Sequence, residues 1–574
     1  MLMMMTKKIQ EIPGGTLKMS KRATISLVLF AALSLVFTSS AYAFQINRHD
    51  QLDHLKHAGR ITRGDQAVVK QNDISMIHQV YVSELLAHPT DRAAAPPAHQ
   101  VRYKRYYVNG SIPDGSLRLD KEDCWHHMIG KVTIKAEGNF VLAAYEQFTT
   151  GGVYEIYAAY SGDQGKKFNR VLIYRSTSIN GAMFLPGSTR IFLDEAGNMS
   201  VLRQQYAADN VEHQNVFITS SFDEGATWAT SMIGQNHPAK WAPNGLSVAQ
   251  SGPNRYAAWL GNREESLVFT HSSDYGRTWT QDSVVAPYEF STGDPNAMQT
   301  SMAVTSNGNM DTVHILGAAA EISPFSVSYV SYVRSTDSGE SWESPQALDF
   351  SLHIDGIAGP RLAVNPANPD QLWAAYFRIV PELYRDPSYY LVATGSHDGG
   401  RTWERSQVIR STGIRQFIHP DDQFKDIQLV LSDSGGYIGW FSRNDAAREN
   451  LQNGGWHYFV SGYTEDSWQT LRADNLPDER AANPNYGSLT LTDNGVVATY
   501  SEVLTGNTDP IMHRHTVTLS TGENIPGGDI EVPPLADENQ VPDHDCPPGI
   551  PIEDSPAEDH PRLVPVPINP PVGG

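Results

Sequence analysis

The chain has 574 residues, and 40% of them are hydrophobic, which is enough to build a sizeable core. The formal net charge at pH 7 is -21, and no sustained basic stretch offsets it. Because binding to a phosphate backbone requires a basic surface, this charge argues against nucleic acid as a partner.

The N-terminus has the pattern of a secretory signal peptide. Lysines and an arginine between positions 7 and 22 precede an apolar run at 25–37, and the small-x-small sequence Ala41-Tyr42-Ala43 follows. The apolar run is too short to span a bilayer comfortably. We therefore predict a signal peptide over residues 1–43, a secreted or periplasmic protein, and no membrane segment in the mature chain.

Residues 44–120 are predicted to form an N-terminal extension. A helix is expected around residues 77–87. Residues 100–108 are rich in β-branched and aromatic side chains and lead into Asn109-Gly110, which predicts a strand followed by a turn.

The chain has two cysteines, Cys124 and Cys546. In an oxidising compartment they can pair, and two free thiols are an equally open alternative. The cluster at 124–127 lacks the spaced second pair of ligands that a zinc site needs. We therefore predict neither a metal nor a cofactor.

One eight-residue pattern, Ser-x-Asp-x-Gly-x-Thr-Trp, returns along the chain. Its copies lie at 221–228, 272–279, 335–342 and 396–403, with worn copies at 161–168 and 461–468. The closing aromatic residues recur at intervals of roughly 50 to 65 residues, which is the spacing of a repeat architecture.

We call these segments the Ser/Asp turns. Ser and Asp side chains accept hydrogen bonds from the amides of a turn, Gly supplies a positive φ, and Trp anchors the turn on the core. A calcium site is disfavoured because no second carboxylate recurs within each copy. The pattern is therefore interpreted as a folding device.

Each repeat has the same order of predicted elements: strand, tight turn, strand, loop, strand, Ser/Asp turn, strand. Seven units begin near residues 126, 190, 246, 302, 362, 427 and 489. Four antiparallel strands repeated in this way predict an all-β, seven-bladed β-propeller over residues 121–521, with a six-bladed ring as the alternative.

The last unit lacks a Ser/Asp turn and has three predicted strands. We predict that the strand at 100–108 occupies its outer position and closes the ring, which would shield an exposed edge. Residues 522–574 are Pro-rich and acidic. Such a segment cannot bury enough apolar surface to fold alone, so a disordered tail is expected.

The Ser/Asp turns and the repeat order resemble those of the sialidase (neuraminidase) superfamily, in which such turns are called Asp boxes or BNR repeats. The resemblance covers about residues 125–519. In the last unit, the segments 485–489 and 498–502 are similar to the sialidase segment that begins with the nucleophilic Tyr and ends in Tyr-Glu. The resemblance implies a β-propeller that acts on a glycan.

Carried over to this sequence, the resemblance implies Tyr486 as the nucleophile. A phenol with a pKa of about 10 is a poor nucleophile at neutral pH, so a carboxylate must take its proton. Glu502, Glu321 and Asp426 are the candidates. The first unit departs from the family: in place of Phe-Arg-Ile-Pro, whose Arg grips the substrate carboxylate, it has His126-His127-Met128-Ile129.

In this repeat order, the start of the first strand and the loop between the second and third strands share the rim opposite the Ser/Asp turns. Candidate substrate-binding residues at this rim are His126, Arg190, Arg203, Tyr206, Arg361, Arg378 and Arg443, and candidate catalytic residues are His127, Tyr486 and Glu502. Several arginines at one rim of an acidic protein suit a carboxylate or sulfate ligand.

The sequence thus predicts an exported enzyme that acts on an anionic glycan as a glycoside hydrolase. His, Tyr and Arg at one mouth also fit β-elimination from a uronic acid, in which a cation neutralises the carboxylate and His or Tyr removes the α-proton. A polysaccharide lyase is therefore one alternative. A non-catalytic glycan-binding or adhesion propeller is the other.

Overall fold

The computed structural model describes a chain built of strands and turns. The described residues are 43–54, 58–71, 74–85, 98–107, 116–120, 128–148, 153–176, 188–206, 213–238, 245–261, 266–286, 300–306, 308, 310–321, 327–351, 356–382, 385–412, 424–432, 435–443, 456–464, 467–473, 481–492, 495–503 and 511–520.

The strands form eight four-stranded antiparallel sheets. The first strand of the chain, β1 (Ala43–His54), belongs to the last sheet. Sheet 1 contains β2 (Ala58–Gln71), β3 (Ile74–Leu85), β4 (Ala98–Tyr107) and β5 (Leu117–Arg118). Sheet 2 contains β6 (Met128–Glu137), β7 (Phe140–Phe148), β8 (Tyr154–Ser161) and β9 (Asn169–Arg175). Sheet 3 contains β10 (Ser188–Leu193), β11 (Met199–Tyr206), β12 (His213–Ser221) and β13 (Ala229–Pro238).

The remaining sheets repeat the order. Sheet 4 contains β14 (Ser247–Ser251), β15 (Asn254–Gly261), β16 (Ser266–Ser272) and β17 (Ser283–Ala286). Sheet 5 contains β18 (Thr300–Ser306), β19 (Asp311–Glu321), β20 (Val327–Ser335) and β21 (Gln346–Ser351). Sheet 6 contains β22 (Ile357–Asn365), β23 (Asn368–Glu382), β24 (Arg385–Ser396) and β25 (Gln407–Thr412). Sheet 7 contains β26 (Phe424–Ser432), β27 (Gly435–Arg443), β28 (Trp456–Thr464) and β29 (Ser467–Arg472), and sheet 8 contains β30 (Ala481–Thr492), β31 (Gly495–Val503) and β32 (Ile511–Ser520), followed by β1.

The sheets are arranged radially. The first strand of each sheet packs against the first strands of both neighbouring sheets, and β2 packs between β30 and β6. The first strands therefore surround a central axis, and the fourth strands lie outermost. This arrangement is an all-β propeller.

The seven units predicted from the sequence are sheets 2 to 8, so the seven predicted blades are confirmed. The structure adds sheet 1, which is built from residues that were predicted to be an extension. The helix expected around 77–87 is wrong, because these residues belong to β3. Val80, Tyr81 and Val82 are fully buried, and β-branched and aromatic side chains favour a strand between packed layers.

The predicted role of the strand at 100–108 is also wrong. These residues fall in β4, which pairs with β3 and β5 inside sheet 1 and is therefore not available to sheet 8. Instead, β1 pairs with β32 and occupies the outer position of sheet 8. Ring closure by an N-terminal strand is thus achieved by a segment farther toward the N-terminus.

The chain divides into two compact units. The larger unit, Phe44–Thr518 with Asp529–Gly574, contains the propeller, and the smaller unit, Met1–Ala43 with Leu519–Gly528, lies almost wholly outside the described residues. The predicted signal peptide, the predicted tail at 522–574, Cys124 and Cys546 also lie outside them, Ala43 excepted. Within the described part of the chain, no helix is long and apolar enough to cross a membrane.

The Ser/Asp turns share one hydrogen-bond pattern. In the turn at 272–279, Ser272 Oγ donates to Asp274 Oδ1 at 2.8 Å and accepts from the Gly276 amide at 2.9 Å. Asp274 in turn accepts from the amide and the hydroxyl of Thr278 at 2.9 and 2.6 Å. Tyr275 and Gly276 have φ values of 65° and 88°. The turn is therefore a self-contained structural unit, as its residue pattern indicates.

The pKa of the turn aspartates reflects these bonds. In the turn at 396–403, slight burial raises the pKa of Asp398, but the hydrogen bonds from Thr402 and Ser396 outweigh it and lower the pKa to about 2. The aspartate is thus held as an acceptor of local hydrogen bonds.

Glycines of the turns interlock neighbouring sheets. Tyr332 of β20 lies against Gly400 in the turn of the next sheet so closely that a Cβ at residue 400 would overlap the tyrosine hydroxyl. Tyr103 of β4 has the same relation to Gly165. At Gly276, by contrast, a Cβ would meet nothing closer than 3.7 Å.

Gly400→Ala is therefore expected to destabilise the protein more than Gly276→Ala, although both residues have similar positive φ values of 81° and 88°. The shared φ strain costs about 1–2 kcal/mol in each variant. Overpacking against Tyr332 adds about 1–3 kcal/mol in Gly400→Ala alone. Chemical denaturation of the two variants measures the difference, and equal midpoints would contradict the interlock.

Candidate functional site

The strand registers define a rim opposite the Ser/Asp turns. In sheet 3, the turn follows Ser221, which pairs with Met199 at the start of β11, whereas Tyr206 ends β11 at the opposite rim. Arg443 ends β27, and Glu321 ends β19 at the same rim. The predicted rim therefore corresponds to one end of the sheets. His126 and His127 lie outside the described residues.

Tyr486 and Glu502 lie on paired strands of sheet 8. The pairing of β30 with β31 passes from Ala482 opposite Glu502 to Gly487 opposite Tyr500. Tyr486 therefore lies in the irregular part of this pairing, one residue before Gly487. The structure brings the two predicted catalytic positions to the same end of the same sheet.

Three cationic residues lie on innermost strands near this rim: Lys131 on β6, Arg190 on β10 and Arg361 on β22. We call them the axial cation cluster. All three side chains are partly buried. Burial, and then the charge of Arg190, lowers the pKa of Lys131 to about 7, and the charge of Arg361 contributes to this shift. Burial, and then the charge of Arg361, lowers the pKa of Arg190 to about 10.

Two carboxylates accompany the cluster. Asp65 on β2 accepts hydrogen bonds from Thr133 Oγ1 at 2.9 Å and the Ile134 amide at 3.0 Å. Burial raises the pKa of Asp65, and these bonds act in the opposite direction. Glu146 on β7 accepts from Thr189 Oγ1 at 2.8 Å and from the Lys131 amide at 3.2 Å. When ionised, the two carboxylates offset two of the three positive charges and leave the cluster cationic.

Two members of the cluster, Lys131 and Arg190, have side-chain donors for which the described residues provide no acceptor. No described residue accepts a hydrogen bond from the Lys131 ammonium, whose backbone amide alone is bonded. Among the described residues, Arg190 donates one hydrogen bond, from Nη1 to Thr189 O at 3.1 Å. Arg361 donates from Nε to Ile427 O at 2.9 Å and from Nη1 to Pro360 O at 3.0 Å. Partly exposed cations near one rim suit an anionic ligand.

The structure uses two predicted arginines elsewhere. Arg203 is 5% exposed, and its guanidinium stacks 4.9 Å from the ring centroids of both Tyr174 and Phe217. Arg378 forms a salt bridge of 2.8 Å with Asp349 of the preceding sheet. These side chains join strands and sheets, and the structure does not bring them to the axial cation cluster.

A second polar layer lies closer to the Ser/Asp turns. Lys135, four residues after Lys131 on β6, donates to Gln250 Oε1 at 3.4 Å. Gln250 donates to Leu193 O at 2.8 Å, and the nearby Arg255 pairs with Asp194 at 2.8 Å. Burial, and then the charge of Arg255, lowers the pKa of Lys135 to about 8. In contrast to Lys131, the ammonium of Lys135 has a protein partner.

Sequence reasoning missed Lys131, Asp65 and Glu146. Asp65 was assigned to an extension, and a lysine in a predicted strand is normally a solvated residue. The signal for Lys131 was the preceding Gly130, because an isolated glycine inside a strand indicates a bulge. Within the described strands, no group of three or more His, Cys, Asp or Glu side chains is placed to hold a metal ion.

Comparison of the sequence with family models and with curated proteins gives no match. Among solved structures, a Trypanosoma rangeli sialidase in complex with sialic acid is similar at 15% identity and a TM-score of 0.30, covering 58% of this chain and 55% of that chain. A protein of unknown function from Dyadobacter fermentans is similar at 13% identity and a TM-score of 0.31, covering 59% and 95%. A polysaccharide lyase, an ulvan lyase, is similar at 10% identity and a TM-score of 0.37, covering 66% and 90%. The chain thus spans about half the length of the sialidase.

Proposed function

We propose that this propeller acts on an anionic glycan as a glycoside hydrolase. The observation that carries the proposal is that Arg190 and Arg361, on the innermost strands of sheets 3 and 6, lie near the predicted rim, and that the charge of Arg361 lowers the pKa of Arg190. Guanidinium groups bind carboxylate and sulfate groups through charge-assisted hydrogen bonds. The signal-peptide pattern supports an exported enzyme.

Tyr486 is the proposed nucleophile, and Glu502 is the proposed acceptor of its proton. The strand pairing supports this assignment, because the two residues lie on adjacent strands at one end of sheet 8. Attack by the phenolate oxygen on the anomeric carbon forms a glycosyl–oxygen bond and breaks the bond to the leaving oxygen, which takes the proton that Glu502 accepted. The oxygen of a water molecule then bonds to the anomeric carbon, the bond from that carbon to the Tyr486 oxygen breaks, and a proton of the water restores the phenol.

A lyase is the second candidate, and the state of Lys131 favours it. With a pKa of about 7, this side chain is neutral in a substantial fraction of molecules at neutral pH. A neutral amine beside Arg190 and Arg361 is suited to take the α-proton of a uronic acid whose carboxylate the arginines neutralise. The C–H electrons would then form a double bond as the leaving oxygen departs.

Product analysis separates the candidates. The panel of acidic glycans consists of sialyllactose, polygalacturonate, chondroitin sulfate and alginate. We expect digestion to release reducing ends without the ultraviolet absorbance that an unsaturated uronate would give. Products that absorb in the ultraviolet would instead show that the protein is a lyase. Their rate of formation should then rise as the pH increases through about 7, because Lys131 loses its proton in this range. If the protein retains a glycan but releases no product, the conclusion is a non-catalytic glycan-binding propeller.

A further inference from the structure

Five consecutive sheets of the ring share an irregularity near the start of the innermost strand. The pairing of the first and second strands shifts between Ala358 and Arg361 in sheet 6 and between Lys425 and Gln428 in sheet 7. It also shifts between Ala482 and Gly487 in sheet 8. Sheets 1 and 2 have shifts between positions 61 and 63 and between 129 and 132.

The other three sheets are regular in this respect. The described pairings of β10, β14 and β18 with their second strands contain no shift. In ring order, the irregular sheets are 6, 7, 8, 1 and 2, which form one continuous arc. β-Bulges re-aim side chains and are frequent next to active sites. The arc therefore distinguishes one side of the axis from the other.

Ionisable side chains lie at or next to several of these shifts. Arg361 directly follows the bulge of sheet 6, Asp426 lies within that of sheet 7, and Tyr486 lies within that of sheet 8. Lys131 lies within the bulge of sheet 2. Tyr486 is thus placed midway along the arc, two sheets from Arg361 on one side and two sheets from Lys131 on the other.

The bulge in sheet 2 is built around Glu146. Ile129 pairs with Gln147 and Val132 pairs with Tyr145, so Gly130 and Lys131 together face Glu146. A Cβ on Gly130 would lie 2.9 Å from Glu146 Oε2, the same oxygen that accepts the Lys131 amide. Glycine therefore permits the carboxylate to approach and fix the extra residue of the strand.

We propose that Lys131 is a substrate-binding residue that, with Arg361, binds the acidic group of a uronic acid within the bulged arc. The identity of the ligand as an anionic sugar rests on the proposed function. The support is geometric: the ammonium has no acceptor among the described residues and is partly exposed, and Lys131 lies within the bulge of an innermost strand. The charges of Arg190 and Arg361 act on this ammonium. Lys135 on the same strand has no comparable bulge and already donates to Gln250.

The test uses sodium glucuronate as the probe and isothermal titration of the full chain at pH 6, where Lys131 is charged. Lys131→Met is expected to weaken glucuronate binding by about tenfold or more, because a charge-assisted hydrogen bond is lost. Lys131→Arg should retain most of the affinity, and Lys135→Met is the matched control that should bind within about twofold of the wild type.

Gly130→Ala provides a second variant in which all three cations remain. Its new methyl group would displace the Glu146 carboxylate and thereby change the geometry of the bulge. We therefore expect the affinity for glucuronate to fall. Unchanged unfolding midpoints in Lys131→Met and Lys131→Arg would show that both variants fold.

Wild-type affinity in Lys131→Met, an equal loss in Lys135→Met, or no glucuronate binding by the wild type would each overturn the proposal. Failure of the proposed function has a different signature. If the wild type binds glucuronate through Lys131 but cleaves no acidic glycan, the hydrolase is excluded and the binding role of Lys131 stands.

Discussion

A chain that begins at residue 121 is expected to lose the native fold completely, although it contains all seven units that the sequence identifies. Such a chain lacks sheet 1, whose first strand packs between β30 and β6. Val80, Val101 and Tyr103 of sheet 1 share a buried core with Ile134 and Tyr145 of sheet 2. Their removal would expose this apolar surface and leave the ring with a gap.

The polar contacts of sheet 1 lead to the same expectation. Gln66 of β2 donates to Thr490 Oγ1 at 2.5 Å and to Val497 O at 3.3 Å, and it accepts from Thr499 Oγ1 at 2.9 Å. Asp65 bonds to sheet 2 on the other side. A native protein has a total free energy of unfolding of about 5–15 kcal/mol. The interactions that are lost with one whole sheet are therefore expected to be enough to unfold the ring.

Near-ultraviolet circular dichroism and thermal unfolding of the two chains measure this effect. A chain that begins at residue 44 is the control and should unfold cooperatively. A chain that begins at residue 56 lacks only β1 and should retain a folded ring with a lower midpoint, because sheet 8 loses its outer strand. Cooperative unfolding of the 121-start chain at the control midpoint would show that sheet 1 is dispensable.

The sequence predicts the repeat where a Ser/Asp turn marks it. Sheet 1 has other features of the repeat: His78 Nδ1 lies 2.7 Å from Tyr103 Oη, just as His314 Nδ1 lies 2.7 Å from Tyr332 Oη in sheet 5. Each tyrosine is followed two residues later by an arginine, Arg105 in sheet 1 and Arg334 in sheet 5. Each arginine donates a hydrogen bond to a backbone carbonyl in the Ser/Asp turn of the following sheet. At the positions where the pattern has Ser and Asp, the sequence after Tyr103 has Tyr106 and Val108, so the periodic signal is absent there.

The wrong prediction of a helix in β3 also has its origin in a missing periodic signal. Residues 75–83 are buried throughout, so β3 shows neither the alternation of a half-buried strand nor a clear helical stripe. A short buried segment of this kind is ambiguous from periodicity alone. The physical reason for its strand conformation, packing against β6 of sheet 2, is a long-range contact that the local sequence does not contain.

For the candidate site, the sequence predicts the rim but not the direction of each side chain. Arg190 and Arg361 reach the axial cation cluster because they lie on innermost strands, whereas Arg203 and Arg378 lie on second strands. Position along a blade can be deduced from the repeat, but a bulge reverses which face a residue occupies. Lys131 is the residue for which this matters most.

Tyr486→Phe is expected to reduce hydrolysis of an acidic glycan by about a thousandfold or more, because the variant lacks the oxygen that forms the covalent intermediate. The change removes one hydroxyl and retains the aromatic ring. Tyr463→Phe removes a hydroxyl near the Ser/Asp-turn end of sheet 7 and is the matched control, with activity expected to remain at the wild-type level.

Glucuronate binding distinguishes a chemical role of Tyr486 from a binding role. Because the proposed anion site consists of Lys131 and Arg361, Tyr486→Phe should bind glucuronate within about twofold of the wild type while its turnover collapses. An equal loss of binding and turnover would move Tyr486 from the chemistry to the binding surface. Full turnover in Tyr486→Phe would remove it as the nucleophile, and the search for the reactive group would then begin with the neighbouring bulges, at Asp426 and Lys131.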